Sequence, residues 1–377
     1  MKAANPEARY DVIVLGGGPA GSTTAALLAR KAVSVLVVEE KERGLGFKVG
    51  ETVPGVAGAT LARAGFPGLL QKVPQLRCSG NRSSWGSPKL HSRPGLLDPY
   101  GGGAHLDRAR LDLELLRESA AAGAQILHGA RFESAEKSKG IWTIRLRRGS
   151  ELLSIGCDSV VDSTGRKACF AQSRGARRVM VDRQIAIVSL FSAANIEDDD
   201  LTTTIEATPT GWWYSARLPG QKRIVAFFTD GGLLSRLDVR STDGFIALMR
   251  RSAHVVEFLR RGYSHARTPT VLLANTSYLM HSAGDGWCAA GDAASALDPL
   301  ASAGIVNAIS AGSRAASLVL SGFKNTEDYS GEARDKAMSD IRIRQSYYRM
   351  ETRWPREPFW VLRQQPQTFQ PPTISRT

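Results

Sequence analysis

One stretch, residues 11–39, restricts the possible folds more than any other: it reads strand, glycine turn, helix, strand, acid. Asp11–Leu15 (DVIVL) is a short apolar run rich in β-branched residues, the pattern of a buried strand. Gly16, Gly18 and Gly21 follow at the spacing G-x-G-x-x-G, and Ser22–Arg30 continues with helix formers. Val33–Val38 is a second buried strand, ending on Glu39. Each glycine has its own task. Gly16 permits a tight turn, Gly18 lets the backbone approach a pyrophosphate, and Gly21 lets the helix pack closely on the strand. The helix N-terminus then offers unpaired N–H groups and a partial positive charge to phosphate. Glu39 is placed to accept hydrogen bonds from an adenosine ribose. Ala20, inside the turn, and Glu40, beside Glu39, are read as further contacts. All five parts agree, so the stretch predicts a dinucleotide-binding unit.

The rest of the chain is built around that unit. At 377 residues it exceeds one typical domain and suggests two lobes, and 42% hydrophobic residues suffice for a sizeable core. The formal charge of +13 admits nucleic acid, an acidic partner or an anionic cofactor. Its Lys and Arg residues are scattered, with no RNA-binding motif or basic arm, so no nucleic acid is expected and an acidic partner protein stays open. Cys78, Cys157, Cys169 and Cys288 lie far apart without a CxxC pair, which argues against a metal site or a disulfide framework. Met1–Tyr10 has no apolar signal core, and no apolar run reaches the ~20 residues needed to span a bilayer. A cytoplasmic protein with no membrane partner is expected.

After Glu39 comes a glycine-rich loop, KERGLGFKVGETVPG, carrying Lys48 and Glu51, then a short helix around Ala57–Ala64. Residues 71–103 read as one long irregular loop. His105–Ala122 has helical apolar spacing and is stopped by Gly123. Ala124–Leu127, Arg131–Glu136, Ile141–Arg147 and Ser159–Asp162 read as strands, the last running into DSTGR. Gln184–Ser192 and Arg223–Thr229 are strands of a β-rich middle third. Phe245–Arg260 reads as an amphipathic helix, and Thr270–Ala274 and Gly286–Ala290 as strands. The last of these feeds GDAASALDPLASAGIVNAISAG, whose second half is a long apolar helix. Ile341–Trp360 reads as a closing helix, and the tail from Gln364 as frayed.

Three separated segments, Gly16–Gly21, Asp162–Gly165 and Gly291–Gly304, resemble the FAD-contacting motifs of the class A flavoprotein monooxygenase superfamily. That group includes flavin-dependent halogenases and geranylgeranyl reductases. LGFKVGETVPG resembles the VGE-S/T-x-x-P loop of its halogenase-like branch, HLDRARLD the R-x-x-L/F-D helix, and RWPREPFWVLR the aromatic tail. The resemblance implies an α/β fold: a Rossmann-like FAD-binding domain with an inserted β-rich substrate domain and a C-terminal helix. It divides the chain into FAD-binding segments 1–75, 103–170 and 276–325, a loop or substrate segment 76–102, a β-rich domain 171–275 and a C-terminal helix and tail 326–377. Carried over, Glu39 would hold the adenosine ribose and Arg108 would sit near the pyrophosphate. Asp292 would bond the ribityl or pyrophosphate region, and Pro299 to Gly304 would pass close to the isoalloxazine. Asp162, Gly165, Gly291, Ala303, Ile305 and Lys48 complete the expected cofactor contacts. A helix cap is the plainer alternative for Asp292, and a surface arginine for Arg108.

The reaction the resemblance implies is monooxygenation through a flavin C4a-hydroperoxide, with O2 as co-substrate, on an electron-rich aromatic. No second glycine fingerprint is present, so electrons come from transiently bound NAD(P)H or a separate flavin reductase. Lys48, Glu51, His105, Trp212, Trp213, Tyr214 and Asp298 are candidates to line the cavity, and Lys48, Glu51, Trp213 and Tyr214 are the catalytic candidates. Each has a plainer reading: His105 as a structural histidine, the Trp212–Tyr214 cluster as packing, Lys48 and Glu51 as a loop-fixing pair. Halogenases carry W-x-W-x-I-P, but counting back from Leu218-Pro219 its tryptophan positions here hold Tyr214 and Ala216. The branch also includes flavoproteins that hydroxylate a tryptophan inside another protein during tryptophylquinone maturation. This chain is similar to them in its VGET loop, its degraded halogenase motif and its RW…FW tail, and its positive charge suits an acidic precursor protein. Small-aromatic hydroxylation, halogenation, geranylgeranyl-type reduction and a flavin-binding scaffold are the alternatives.

Overall fold

Strand Tyr10–Leu15 occupies the middle of an eight-stranded sheet, paired in parallel with Val35–Glu39 on one side and Glu151–Asp162 on the other. The computed structural model describes residues 9–42, 46, 48–193, 198–237 and 239–365. Gln125–His128 extends the sheet beyond Val35–Glu39, and Trp287–Ala289 extends it beyond Glu151–Asp162. Ala130–Ser138 and Ile141–Arg148 add an antiparallel meander onto Glu151–Asp162, of which the predicted Ser159–Asp162 is only the end. Helices Pro19–Ala29, Arg108–Ala121 and Gly304–Leu320 pack together beside this sheet. The first and third approach so closely that a Cβ on Gly312 would collide with the Ala20 carbonyl, and Thr24 Oγ1 donates to Gly312 O at 3.0 Å. This is the Rossmann-like arrangement expected from the strand–turn–helix signature.

A second sheet of seven strands runs in the order Ser264–Leu273, Gln184–Ser192, Lys222–Asp230, Gly211–Leu218, Thr202–Thr208, Gly80–Ser84, His91–Pro94. Its two faces bury different clusters. One packs Val188, Trp212 and Phe228 against Tyr348, Phe359 and Trp360 of the C-terminal helices; the other packs Ile187, Trp213 and Phe227 against Phe245 and Phe258. Among the described residues no helix is long and apolar enough to cross a membrane.

Four local expectations are corrected. Residues 71–103 are not one irregular loop: Gln75–Arg77, Gly80–Ser84 and His91–Pro94 are strands, too short and polar to announce themselves without their partners. His105 is in strand Ala104–Leu106, and the helix starts at Arg108 because the Asp107 carboxylate accepts from Arg110 N at 3.1 Å. Phe245–Arg260 is broken into Thr242–Met249 and the 3₁₀ segment Val255–Arg261. Buried Glu206 is the reason: its carboxylate takes up the N–H groups of Ala253, His254 and Val255 at 2.6, 2.9 and 2.8 Å. Ile341–Trp360 is likewise two helices, Thr326–Arg349 and Pro358–Gln364, interrupted where Pro355 and Pro358 remove donors. The tail beyond residue 365 and part of the glycine-rich loop lie outside the described residues.

Candidate active site

The glycine turn does what its spacing predicts, and for steric reasons. Gly16 has φ of +104°, and a Cβ there would strike Ser163 O; a Cβ on Gly21 would strike Gly16 O. Gly18 differs, since nothing lies within 4 Å of where its Cβ would stand: its face is open. It opens onto a cavity of about 610 Å³ whose lining also includes Ala20, Gly165, Asp292, Ala303 and Ile305. Gly17 opens instead onto a second cavity of about 360 Å³, shared with Glu39, Lys48 and Asp112. Two pockets therefore meet at one glycine turn, as a two-part ligand with a central pyrophosphate requires.

Glu39 Oε2 accepts from Gly17 N at 2.8 Å, so the carboxylate fixes the turn while standing in the smaller cavity. Glu40 does not join it. The alternation of the strand turns Glu40 outward to pair with Lys167 at 2.8 Å, in neither cavity. Asp162 is fully buried and closes its own loop, accepting from Thr164 N at 3.0 Å, Thr164 Oγ1 at 2.7 Å and Ala171 N at 2.8 Å, and burial raises its pKa. It shapes the turn at Gly165 and does not itself line the cavity. Gly291 has φ of +62°, and its Cβ would come within 2.9 Å of Ala20 Cβ. Asp292 faces the cavity with Arg166 Nε at 3.7 Å. Pro299–Ala301 forms a 3₁₀ turn begun by Asp298, whose carboxylate accepts from Leu300 N at 2.9 Å. Gly304 and Ile305 then open the Gly304–Leu320 helix, which has no side-chain cap. Helix Pro19–Ala29 likewise lacks one. Two sets of backbone N–H groups are thus left for a ligand.

Lys48 and Glu51 do not pair with each other. Lys48 Nζ donates to Asp112 Oδ2 at 2.7 Å, and Arg108 Nε to Asp112 Oδ1 at 2.8 Å. Arg108 Nη1 also holds Val49 O at 3.1 Å. Burial alone would raise the pKa of Asp112; Arg108 and Lys48 hold it below its ordinary value. This clamp ties the VGET loop to helix Arg108–Ala121 and places Lys48 at the smaller cavity, outside the lining of the larger one. Glu51 belongs to the large cavity. It is 3% exposed, its Oε2 accepts from Gly50 N at 2.9 Å, and its Oε1 has no hydrogen-bond partner. Burial pushes its pKa up to about 7, opposed by backbone N–H groups and Arg108.

On strand Gly211–Leu218 the alternation decides which aromatics reach the site. Trp212 and Tyr214 line the cavity with Phe228. Trp212 stacks on Phe228 with centroids 3.9 Å apart, and Tyr214 OH lies 2.5 Å from Thr52 Oγ1. Trp213 faces the opposite way, packed on Phe227 at 4.6 Å and Phe245 at 5.3 Å, and cannot touch a substrate there. His105 is also absent from the lining: it is buried against Thr203 Oγ1 at 3.0 Å, and burial, then Arg223, lowers its pKa to about 4.

Several site residues escape a reading of the sequence. Asp112 is one, although its i,i+4 relation to Arg108 is a signal in principle. The larger group surrounds Asp298, whose Oδ2 receives Arg344 Nε at 2.9 Å, Tyr348 OH at 3.1 Å and Gln184 Nε2 at 3.3 Å. Arg344 Nη2 reaches Asp182 at 2.9 Å, and Trp212 Nε1 donates to Tyr348 OH at 3.0 Å. The aromatic wall, the Pro299–Ala301 turn and the C-terminal helix are therefore joined by one buried polar network.

The observed residues fit FAD. The smaller cavity carries the acid suited to an adenosine ribose, the open Gly18 and uncapped Pro19–Ala29 helix suit a pyrophosphate, and the uncapped Gly304 helix suits the electron-rich end of a flavin. Comparison with known proteins agrees. The sequence profile of the FAD dependent oxidoreductase family matches residues 11–221. LodB of Marinomonas mediterranea, described as an FAD-dependent oxidoreductase, is 26% identical over 366 residues, covering 94% of this chain and 96% of its own length. The flavin-dependent halogenase CmlS superposes with a TM-score of 0.81 at 20% identity, over 96% of this chain and 69% of its own. QhpG, a peptidyl tryptophan dihydroxylase essential for tryptophylquinone cofactor biogenesis, superposes with a TM-score of 0.77 at 24% identity, over 97% of this chain and 80% of its own.

Proposed function

The chain belongs to the FAD dependent oxidoreductase family, and from that premise we propose that it is a monooxygenase hydroxylating a tryptophan side chain of a partner polypeptide. The observation that carries this reading is one cavity that joins the turn Pro299–Ala301, where a flavin would lie, to an aromatic wall of Trp212, Tyr214 and Phe228. Such a wall favours an electron-rich ring over an aliphatic chain. Bound FAD supplies the activation of O2 and the transfer of one oxygen atom to that ring. The other oxygen atom leaves as water, with two electrons from NAD(P)H delivered directly or through a separate flavin reductase. The chain's own residues orient, dry and protonate. Trp212 and Phe228 stack, Tyr214 is anchored on Thr52, and the network at Asp298 keeps the wall and the turn in register. Glu51, with its free Oε1 and a pKa near 7, can release and recover a proton at neutral pH.

Halogenation fits less well. Lys48 is committed to Asp112, and the one lysine lining the large cavity among the described residues, Lys336, is held by Asp340. QhpG acts on peptidyl tryptophan, which supports the same substrate class here. The test is an intact-mass spectrum of each protein encoded beside this gene, co-expressed with and without it. A neighbour that gains whole oxygen atoms on a tryptophan is the expected result. Oxidation of a free aromatic with no modified neighbour would move the substrate to a small molecule, and bromide-dependent product would restore halogenation.

A further inference from the structure

The long helix Thr326–Arg349 has an inner and an outer side at the cavity mouth. Ile341 and Arg344 line the cavity and are buried. Ile343 and Tyr347 line it too, yet remain 50% and 46% exposed, and Met350, one turn further, is 60% exposed. Their spacing of four and then three residues puts them in one stripe along the helix. Surface helices ordinarily carry polar side chains there, and a contiguous apolar stripe marks a contact surface. Lys336 and Asp340, which pair with each other, continue the rim of the mouth. Arg342 and Arg349 are exposed two turns apart on a neighbouring face of the same helix.

We infer that this stripe docks the polypeptide whose tryptophan enters the cavity: an acidic chain with apolar residues on either side of the target ring. The inference rests on the proposed substrate class and adds where the partner lies. Two observations select the occupant. The stripe is continuous with the cavity wall through Ile343 and Tyr347, so a chain delivering a ring must cross it. Its border is basic, on a protein of formal charge +13, so an acidic partner is attracted while a second copy would set like charges against each other. Apolar contacts supply the hold and Arg342 and Arg349 the orientation.

The probe is a dye-labelled, glutamate-rich peptide with leucines flanking a single central tryptophan, titrated into the FAD-loaded enzyme and followed by anisotropy. The variant combines Arg342→Glu, Arg349→Glu and Met350→Glu, none of which lines the cavity. We expect the peptide to bind the unmodified enzyme and the variant to bind it about tenfold more weakly or worse. Oxidation of N-acetyltryptophanamide, which needs only the cavity, should be unchanged. If the triple variant loses FAD, Arg342→Gln with Met350→Gln replaces it, with the same weakening expected in smaller degree. No binding to the unmodified enzyme, equal binding to the variant, a dimer that the variant dissolves, or displacement of the peptide by anionic phospholipid vesicles would each overturn the docking surface. Failure to oxidise either the peptide or N-acetyltryptophanamide, with the binding difference intact, would instead sink the proposed reaction and leave the surface standing.

Discussion

The glycine turn at Gly16–Gly21 and the strand Gly211–Leu218 bound the same cavity by opposite means. The turn works through what is missing: glycines where a Cβ would collide or close an open face, and a helix start with no side-chain cap. The strand works through what it projects, with Trp212 and Tyr214 on one face and Trp213 on the other. A backbone device is written in consecutive residues and tolerates almost no change at its fixed positions. A side-chain device depends on which face of a sheet is covered by what, and its members are set by distant partners.

That contrast can be broken at either end. The largest effect is expected from Gly21→Ala, whose methyl would meet a backbone oxygen that cannot move aside. We expect a loss on the order of 5 kcal/mol and no flavin in the purified protein; a yellow, normally melting variant would show that the turn can relax. Next comes Trp213→Ala, which opens the core around Phe227 and Phe245. It should cost about 3–5 kcal/mol in urea unfolding. Unchanged stability with lost turnover would mean that the alternation has been assigned the wrong way round.

Glu51 offers a smaller, pH-dependent signature. Its pKa of about 7 lies above the unfolded value of 4.5, so the folded state holds a proton that the unfolded chain releases between those values. Stability therefore falls as pH rises through that window and is level above it. Glu51→Gln removes the penalty, and the variant should be more stable than the parent by about 3 kcal/mol at pH 8 and equal to it at pH 4. Parallel stability curves from pH 4 to 8 would remove Glu51 from the proton-handling role. The smallest differences separate two neighbours. Glu39→Ala should weaken FAD binding about tenfold and Glu40→Ala less than about twofold, measured by flavin fluorescence on titration. Equal losses would erase the distinction between them.

The same contrast explains what can be read in advance. Gly16, Gly18, Gly21, Glu39 and the helix after Gly304 are legible because local geometry alone requires them. Choosing Trp213 over Trp212 is an error of phase: a period of two is visible in a sequence, but its sign is set by which cluster covers which face. Glu40 is misplaced for the same reason, since it faces away from the smaller cavity that Glu39 and Lys41 line, whereas His105 sits in a buried strand, Ala104–Leu106, that reaches neither cavity. Arg344 and Tyr348 escape notice because their partners are remote: Arg344 meets Asp298 and Asp182 across long intervals of chain. Short strands such as Gly80–Ser84 pair with remote Thr202–Glu206 on one side and His91–Pro94 on the other, and no local pattern encodes the remote partner.

The discontinuity of the first sheet dictates an order of events on the ribosome. Strand Glu151–Asp162 emerges early but waits for Trp287–Ala289, and the face beside Val12 and Val14 waits for Ala315 and Leu318. Until then an unpaired parallel edge and an apolar layer are exposed to every other nascent chain. The network at Asp298 comes later still, because Arg344 and Tyr348 are translated near the end. Cofactor loading is in this sense a test of completion: a chain released short of its last helices has the fingerprint for the nucleotide but not the scaffold that closes around the flavin.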